Sequence, residues 1–108
     1  MRTVESRLIR AFLSLNEASP SPHDRIEVNA AGVRALLYGT CYCSYRFSTQ
    51  SLTLGVPGGR WQTATTKSRI NAFAHHFSVP GLYQESFHFY WSDGEPYTGT
   101  KTYSPITL

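Results

Sequence analysis

Short runs of strand-forming residues alternate with tight-turn sequences through the middle of this chain. Strands are predicted over residues 25–28, 33–47 with a bend near Gly39, 52–54 and 60–64. Turns are predicted at 29–32 (Asn-Ala-Ala-Gly) and at 55–59 (Gly-Val-Pro-Gly-Gly), where the glycines and the proline favour a hairpin loop. Because strands joined by tight turns can pair only antiparallel, this pattern predicts an antiparallel sheet.

Two segments of helical periodicity flank these strands. Residues 3–16 place apolar side chains on one helical stripe: Val4, Leu8, Ala11, Phe12 and Leu15. The second helix repeats the pattern with Ile70, Phe73, Ala74 and Phe77. Thr65 or Thr66 is its predicted N-cap, and Pro80-Gly81 ends it.

The remaining segments complete the predicted fold. Residues 16–24 contain Pro20 and Pro22 and are predicted to form a surface loop. A strand is predicted over residues 82–91, with Phe87, Phe89 and Trp91 on one face, and another around 97–103. The fold class is therefore α+β, an antiparallel sheet of four to six short strands with two helices packed on one face.

Length and composition limit the class of protein. The chain has 108 residues, which predicts a single domain spanning residues 1–108. Charged residues make up 16% and aromatic residues 14%, so extended disorder is not expected. No apolar run reaches the roughly 18 residues of a membrane span, and the first residues carry charges where a signal peptide needs an apolar core. We therefore expect a cytoplasmic protein without a membrane partner.

The basic residues are mostly arginine. Eight arginines accompany two lysines, and the formal net charge is +3. Interfaces are enriched in Arg, Tyr and Trp and depleted of Lys, so this composition is typical of a recognition surface. A GC-rich genome would produce the same bias without any function.

Cys41 and Cys43 are the only cysteines. On one strand they would share a face, about 6.5–7 Å apart, which is too far for an easy disulfide. Reduced thiols packed in the core are therefore expected. A zinc site built from both sulfurs with His75, His76 or His88 is the weaker alternative, and no metal or cofactor is predicted.

Three histidines are candidates for acid–base chemistry on phosphoesters: His75 and His76 near the end of the second helix, and His88 on a strand. No catalytic motif accompanies them, and the seven acidic residues are scattered singly. Surface histidines are thus favoured over catalytic ones, and we expect a protein that is not an enzyme.

The strongest candidate site surrounds the start of the second helix. Arg60 and Trp61 precede a hydroxyl-rich segment that carries Lys67 and Arg69. Helix-start amides, hydroxyl groups and cations together form an anion site, and an exposed Trp61 could stack on a base. In the alternative interpretation the threonines only cap the helix, and Trp61 belongs to the core.

A second candidate group lies on the long strand, and it comprises Arg34, Arg46, Tyr42 and Tyr45. Strict alternation places Tyr42 and Arg46 on one face, opposite a face that carries Cys41, Cys43, Tyr45 and Phe47. We predict that the cysteine face points inward and that Tyr42 and Arg46 are exposed.

Two short motifs resemble a known pattern. The segment 37–41 (Leu-Tyr-Gly-Thr-Cys) is followed by 63–71 (Thr-Ala-Thr-Thr-Lys-Ser-Arg-Ile-Asn). Over residues 36–77 this is similar to small phage- and plasmid-borne proteins of unassigned function, which carry a Tyr-x-Thr strand and then Thr-Thr-x-x-His/Arg at a helix start. Arg69 stands where histidine is often found. The resemblance implies a mobile element and therefore a location in the cytoplasm of a bacterial host. Small proteins from that setting include anti-restriction and anti-CRISPR inhibitors.

Several functions remain open at this point. The leading hypothesis is a non-enzymatic phage inhibitor of a host nucleoprotein defence complex, which would bind the host protein or compete with its nucleic acid. The alternatives are a small DNA- or RNA-binding domain, and a phosphoester- or nucleotide-acting protein that uses His75, His76 or His88. A structural or assembly role is the last, since the aromatic side chains over 87–91 could also support a homodimer.

Overall fold

The computed structural model describes residues 3–108, which form two helices and eight strands. The elements follow in the order α1 (Thr3–Ser14), β1 (Ala18–Ser21), β2 (Asp24–Val28), β3 (Gly32–Leu37), β4 (Thr40–Arg46), β5 (Ser51–Leu54), a 3₁₀ turn (Pro57–Gly59), α2 (Ala64–Phe77), β6 (Leu82–Glu85), β7 (His88–Trp91) and β8 (Lys101–Tyr103).

Six strands form one antiparallel sheet in the order β1-β2-β3-β4-β5-β8, and β6 pairs with β7 in a separate two-stranded sheet. Helix α1 packs on β1, β2 and β3, while α2 packs on α1, β4 and β6. The predicted α+β fold with an antiparallel sheet and two helices is confirmed. No helix within residues 3–108 is long and apolar enough to cross a membrane.

The apolar stripe of α1 forms the helix–helix contact as predicted. Leu8 and Phe12 are fully buried, and the Phe12 ring meets the edge of the Phe73 ring of α2 at 5.0 Å between centroids. Burial of such a side chain contributes about 1.5–3 kcal/mol. The helix ends at Ser14, two residues earlier than predicted, because Leu15 adopts a positive φ of 56°.

The predicted surface loop at 16–24 is partly a strand. Residues Ala18–Ser21 pair with β2 at the edge of the large sheet. Pro20 cannot donate a backbone hydrogen bond, but an edge strand needs partners on one side only, so the proline is accommodated there. The register shifts between Ala18 and Ser21, as expected for such an interrupted edge.

The prediction of a hairpin at 55–59 followed by a strand at 60–64 is wrong. The chain forms a 3₁₀ turn closed by a hydrogen bond from Gly59 N to Val56 O, and α2 begins at Ala64. Gly59 has a φ of 66°, and a Cβ there would lie 2.3 Å from the carbonyl oxygen of Tyr97. Glycine is required at position 59 because the backbone of the Tyr97 segment passes too close for a side chain. A local sequence pattern cannot reveal such a contact.

The predicted strand over residues 82–91 is a hairpin. Ser86 and Phe87 form its turn, both at positive φ, and separate β6 from β7. Phe89 and Trp91 are buried on one face as predicted, whereas Phe87 is 91% exposed at the turn. The turn was not predicted because neither residue is glycine or asparagine, the usual residues of such turns.

Candidate functional site

A cavity of about 260 Å³ opens between the β3–β4 turn and the first turn of α2. Its walls are uncharged, and they are formed by Leu37, Tyr38, Thr40, Tyr42, Val56, Trp61, Thr63, Thr65 and Thr66. The cavity lies beside the start of the second helix, and Trp61 is one of its lining residues.

Two exposed aromatic side chains flank this cavity. Trp61 is 58% exposed and has a φ of 58°, and its carbonyl oxygen accepts a hydrogen bond from Thr63 N at 2.8 Å. Tyr38 is 69% exposed in the β3–β4 turn beside Gly39, and its ring stacks on His23 at 4.2 Å. The exposure of Trp61 rules out the alternative interpretation that places it in the core. Tyr38 was not predicted to be a site residue, although its position directly before a turn glycine could have identified it as one.

The first turn of α2 forms one wall of the cavity with Thr63, Thr65 and Thr66. Thr63 is the N-cap, in place of the predicted Thr65 or Thr66, and its Oγ1 accepts a hydrogen bond from Thr66 N at 3.2 Å. The first main-chain helical bond runs from Lys67 N to Thr63 O. Helix geometry leaves the N–H groups of Ala64 and Thr65 without an intrahelical acceptor at the start of this turn.

Tyr42 lines the cavity from the sheet, which contradicts its predicted exposure. Ala35 pairs with Cys43 and Leu36 pairs with Cys41, so Tyr42 is the extra residue of a β-bulge. The bulge breaks the alternation of faces, and Tyr42 is therefore 1% exposed, next to the equally buried Cys43. Arg46, beyond the bulge, is exposed as predicted.

The Tyr42 hydroxyl has no hydrogen-bond partner among residues 3–108. Burial raises the pKa of this phenol well above its ordinary value, so the group keeps its proton and remains a donor. Buried hydroxyls without a partner are uncommon, and they lose the free energy of the missing hydrogen bond. The hydroxyl exposes less than 1 Å² of surface, so it does not open into the cavity that Tyr42 borders.

Arg69 is not part of the site, contrary to prediction. Its guanidinium donates to both Asp24 carboxylate oxygens at 2.8 and 3.0 Å and to Glu5 at 2.9 Å, with all three residues buried. The hydrogen bond to Asp24 raises the pKa of Arg69. The two carboxylates come from α1 and β2, far away in the sequence, so the motif around Arg69 did not reveal them.

The other two basic residues of the predicted patch also do not line the cavity. Lys67 lies with its Nζ 5.9 Å from the centre of the Phe89 ring. Arg60 is exposed but is not a lining residue. The anion site predicted from Arg60, Lys67 and Arg69 is therefore not assembled around this cavity.

Arg34 and Arg46 form a separate surface. Arg34 pairs with Ser44 and Arg46 with Gly32, so the two arginines are diagonal neighbours on one face of the sheet. Both are exposed, and Arg34 forms an ion pair with Glu27. They lie toward the end of the β3–β4 hairpin away from its turn, whereas the cavity lies at the turn. The structure therefore does not bring this group together with Trp61.

The cysteines and histidines are dispersed. Cys41 is partly exposed and Cys43 is buried, both as free thiols whose pKa is raised by burial. No cluster of three potential metal ligands occurs in the described part of the chain. His75 and His76 lie in the last turn of α2, whereas His88 lies beside the β6–β7 turn.

The β6–β7 turn lies toward the N-terminal end of α2. Asn71 hydrogen-bonds Leu82 at the base of the hairpin, and Lys67, one turn earlier in α2, contacts Phe89 farther along it. The hairpin therefore runs toward the start of α2, with Phe87 at its tip. Phe87, Tyr38 and Trp61 are the most exposed large apolar side chains of residues 3–108. Tyr38 and Trp61 line the cavity, and Phe87 lies at the tip of the hairpin that runs toward the start of α2. We call these three residues the aromatic end.

These features define a small α+β protein that presents exposed aromatic side chains around an uncharged cavity. The chain matches the family model described as Kyanoviridae Gp96 protein over residues 1–105, and it belongs to that family of phage proteins. The phage setting implied by the resemblance is therefore correct, and the match extends well beyond residues 36–77. No curated protein and no solved structure matches the chain.

Proposed function

We propose that this phage protein is a non-enzymatic binding protein whose aromatic end docks on a host protein. The observation that carries the proposal is Trp61, which is 58% exposed beside an apolar cavity and is held at a φ of 58°. A bulky residue at positive φ costs roughly 1–3 kcal/mol, and such strain occurs most often at functional sites.

Exposed aromatic side chains support a protein partner. Trp and Tyr dominate the binding energy of protein interfaces when they lie next to a pocket that excludes water. Phe87, which is 91% exposed, adds a third large apolar surface at the tip of the β6–β7 hairpin. Isolated apolar residues on a surface are common, but three strongly exposed aromatics around one end favour an interaction site.

The position of the cations favours a protein over a nucleic acid at this end. A phosphate backbone needs lysine or arginine beside the stacking residues. Here Lys67 lies over the Phe89 ring, Arg69 binds two buried carboxylates, and the exposed Arg60 beside Trp61 does not line the cavity. Direct DNA or RNA binding therefore remains a second candidate only for the separate surface that carries Arg34 and Arg46.

Membership of a phage family supports a target in the host. We propose that the target is a host defence protein or nucleoprotein complex, which makes this chain an inhibitor of the anti-CRISPR or anti-restriction kind. A phosphoester-acting enzyme is less well supported, because His75 and His76 lie toward the opposite end of α2 from His88.

Affinity capture from a lysate of the bacterial host tests the proposal. The wild-type chain should retain a host protein after nuclease treatment, and Trp61→Ala should reduce the amount retained by roughly tenfold or more. Leu15→Ala is the matched control, because Leu15 is an exposed apolar residue away from the aromatic end. It follows the C-terminus of α1, and that end of α1 packs beside Phe73 and Phe77 in the C-terminal half of α2.

Two outcomes would contradict the proposal. Loss of the captured protein after nuclease treatment would favour the nucleic-acid alternative. Equal capture by the wild type and Trp61→Ala would exclude the aromatic end as the docking site. Because Trp61 is mostly exposed, Trp61→Ala should retain its fold, which near-ultraviolet circular dichroism and a melting curve would verify.

A further inference from the structure

We infer that a groove between α1 and the edge strand β1 binds a phosphomonoester group, carried by a small molecule or by a phosphorylated protein side chain. The groove measures about 350 Å³, within the range of roughly 300–1,000 Å³ that is usual for ligand sites. It shares no lining residue with the cavity beside Trp61, so the inference goes beyond the proposed function and does not depend on it.

One wall of the groove is a polar stripe of α1. Arg7, Arg10, Ala11 and Ser14 line it, at the i, i+3, i+4 and i+7 spacing of one helical face. Both arginines are exposed, and neither forms an ion pair with an acidic residue among residues 3–108. Two like charges one helical turn apart repel each other, and an anion bound between them would replace that repulsion with attraction.

The opposite wall is formed by the residue pair that follows α1 and by β1. Asn16 adds a neutral amide donor, and Ala18, Ser19 and Pro20 complete the wall. The Ser19 hydroxyl donates to the carbonyl oxygen of Asp24 at 2.9 Å, which ties this wall to β2. No aromatic ring lines the groove, so it offers no platform on which a nucleotide base could stack. The group that the groove can recognise is therefore the anion itself.

Charge and the number of donors favour a phosphomonoester over a carboxylate. A phosphomonoester carries a charge of about −1.5 to −2 at pH 7 and three acceptor oxygens, whereas a carboxylate has one charge and two oxygens. Two guanidinium groups neutralise a dianion, and their planar forks fit adjacent phosphate oxygens. No aspartate or glutamate is among the lining residues, and Glu17 beside the groove accepts a hydrogen bond from Val28 N of β2.

Titrations of the full chain with small anions, followed in ¹⁵N NMR spectra, test this inference. The probes are inorganic phosphate, O-phosphoserine, acetate and dimethyl phosphate, compared at constant ionic strength. We expect inorganic phosphate and O-phosphoserine to shift the signals of Arg10, Ser14 and Asn16 to saturation. They should bind about tenfold or more tightly than acetate and dimethyl phosphate, because each monoanion forgoes at least one charge-assisted hydrogen bond.

Arg7→Gln and Arg10→Gln, with Arg46→Gln as the matched control, locate the site. Each variant removes an exposed arginine that has no ion pair among residues 3–108, but Arg46 lies on β4 and does not line the groove. The two α1 variants should each weaken binding of O-phosphoserine by about tenfold or more. Arg46→Gln should change it by no more than about twofold. Equal weakening by all three variants would overturn the site in favour of general attraction to a basic surface.

The other outcomes are also decisive. The inference would be overturned by the absence of saturable shifts, by acetate binding as tightly as phosphate, or by tighter binding of dimethyl phosphate, which indicates a nucleic-acid backbone. A phosphoserine peptide that binds more tightly than inorganic phosphate would support a phosphorylated protein as the ligand, and equal binding would support a small phosphate. Host capture that depends on Trp61 but not on Arg10 would leave the proposed function standing whichever result the anions give.

Discussion

At the residue scale, Arg69 connects three elements that are separated in the sequence. Its guanidinium binds Glu5 of α1 and Asp24 of β2 from the middle of α2, and Ser21 and Ser68 donate further hydrogen bonds to the two carboxylates. A buried charge of this kind is tolerated only because each group has partners. The arginine therefore fixes the positions of the two helices relative to the sheet.

Arg69→Met should lower the free energy of unfolding by about 3–5 kcal/mol, because it leaves two buried carboxylates without a cation. Urea denaturation followed by circular dichroism measures this loss. Arg25→Ala is the control, since Arg25 forms an exposed ion pair with Glu27 at 3.3 Å that contributes at most about 1 kcal/mol. Similar losses for the two variants would contradict a structural role for the triad.

The same triad predicts a dependence of stability on pH. Burial alone would raise the pKa of Asp24, but hydrogen bonds from Arg69 and Ser21 hold it below the ordinary value of 3.8. The ionised carboxylate therefore stabilises the fold fully above pH 3.8, and this contribution is lost as the pH falls through the lower pKa of the folded state.

Unfolding free energies measured between about pH 6 and pH 2 would test this dependence. Asp24→Asn should be less stable than the wild type at pH 6 and should lose less stability on acidification. An unchanged acid dependence in Asp24→Asn would show that other carboxylates determine it.

At the element scale, the β6–β7 hairpin combines an unfavourable turn with an exposed aromatic residue. Ser86 and Phe87 have φ values of 50° and 68°, which favour glycine or asparagine. The turn is tolerated because the strands beside it are held by the buried Leu82, Phe89 and Trp91. A chain that retains phenylalanine in such a turn forgoes stability there, as expected if the side chain has a role in binding.

Phe87→Gly should raise the free energy of unfolding by about 0.5–1 kcal/mol, because glycine adopts positive φ freely and the lost side chain is 91% exposed. The same variant should reduce capture of the host partner. Ser86→Gly is the matched control, which relieves backbone strain and retains the aromatic ring, so it should stabilise the chain without affecting capture. Normal capture by Phe87→Gly would remove Phe87 from the docking surface.

At the scale of the whole molecule, the two candidate surfaces are separate. The aromatic end surrounds the start of α2 and the β3–β4 turn, whereas Arg34 and Arg46 lie toward the other end of the β3–β4 hairpin. The cavity at the aromatic end has uncharged walls, whereas the other surface is basic and screened in part by Glu27. Mutations on one surface should therefore leave binding at the other unchanged.

The double variant Arg34→Ala/Arg46→Ala tests this separation. Capture of the host partner by the aromatic end should change by no more than about twofold, since sites without shared contacts act independently. Capture should also persist when the salt concentration rises, because apolar docking does not depend on phosphate contacts. Capture that weakens steeply with salt and is lost in the double variant would favour nucleic-acid binding by the arginine surface.

The sequence by itself determined the local elements. Helical spacing located α1 and α2, and turn residues such as Asn29 and Gly39 located the strands β2 to β5, because backbone propensity and burial periodicity act within a few residues. These features depend on residues that are close together in the chain, and so they can be predicted from a single sequence.

Only the tertiary structure decided which side chains form the site. The bulge at Tyr42 reversed its predicted face, Arg69 turned to carboxylates from two other elements, and Tyr38 joined Trp61 at the cavity. Each outcome depends on contacts between residues far apart in the sequence. Periodicity cannot encode such contacts, because pairing across the sheet and burial of charge are settled only when the elements pack together.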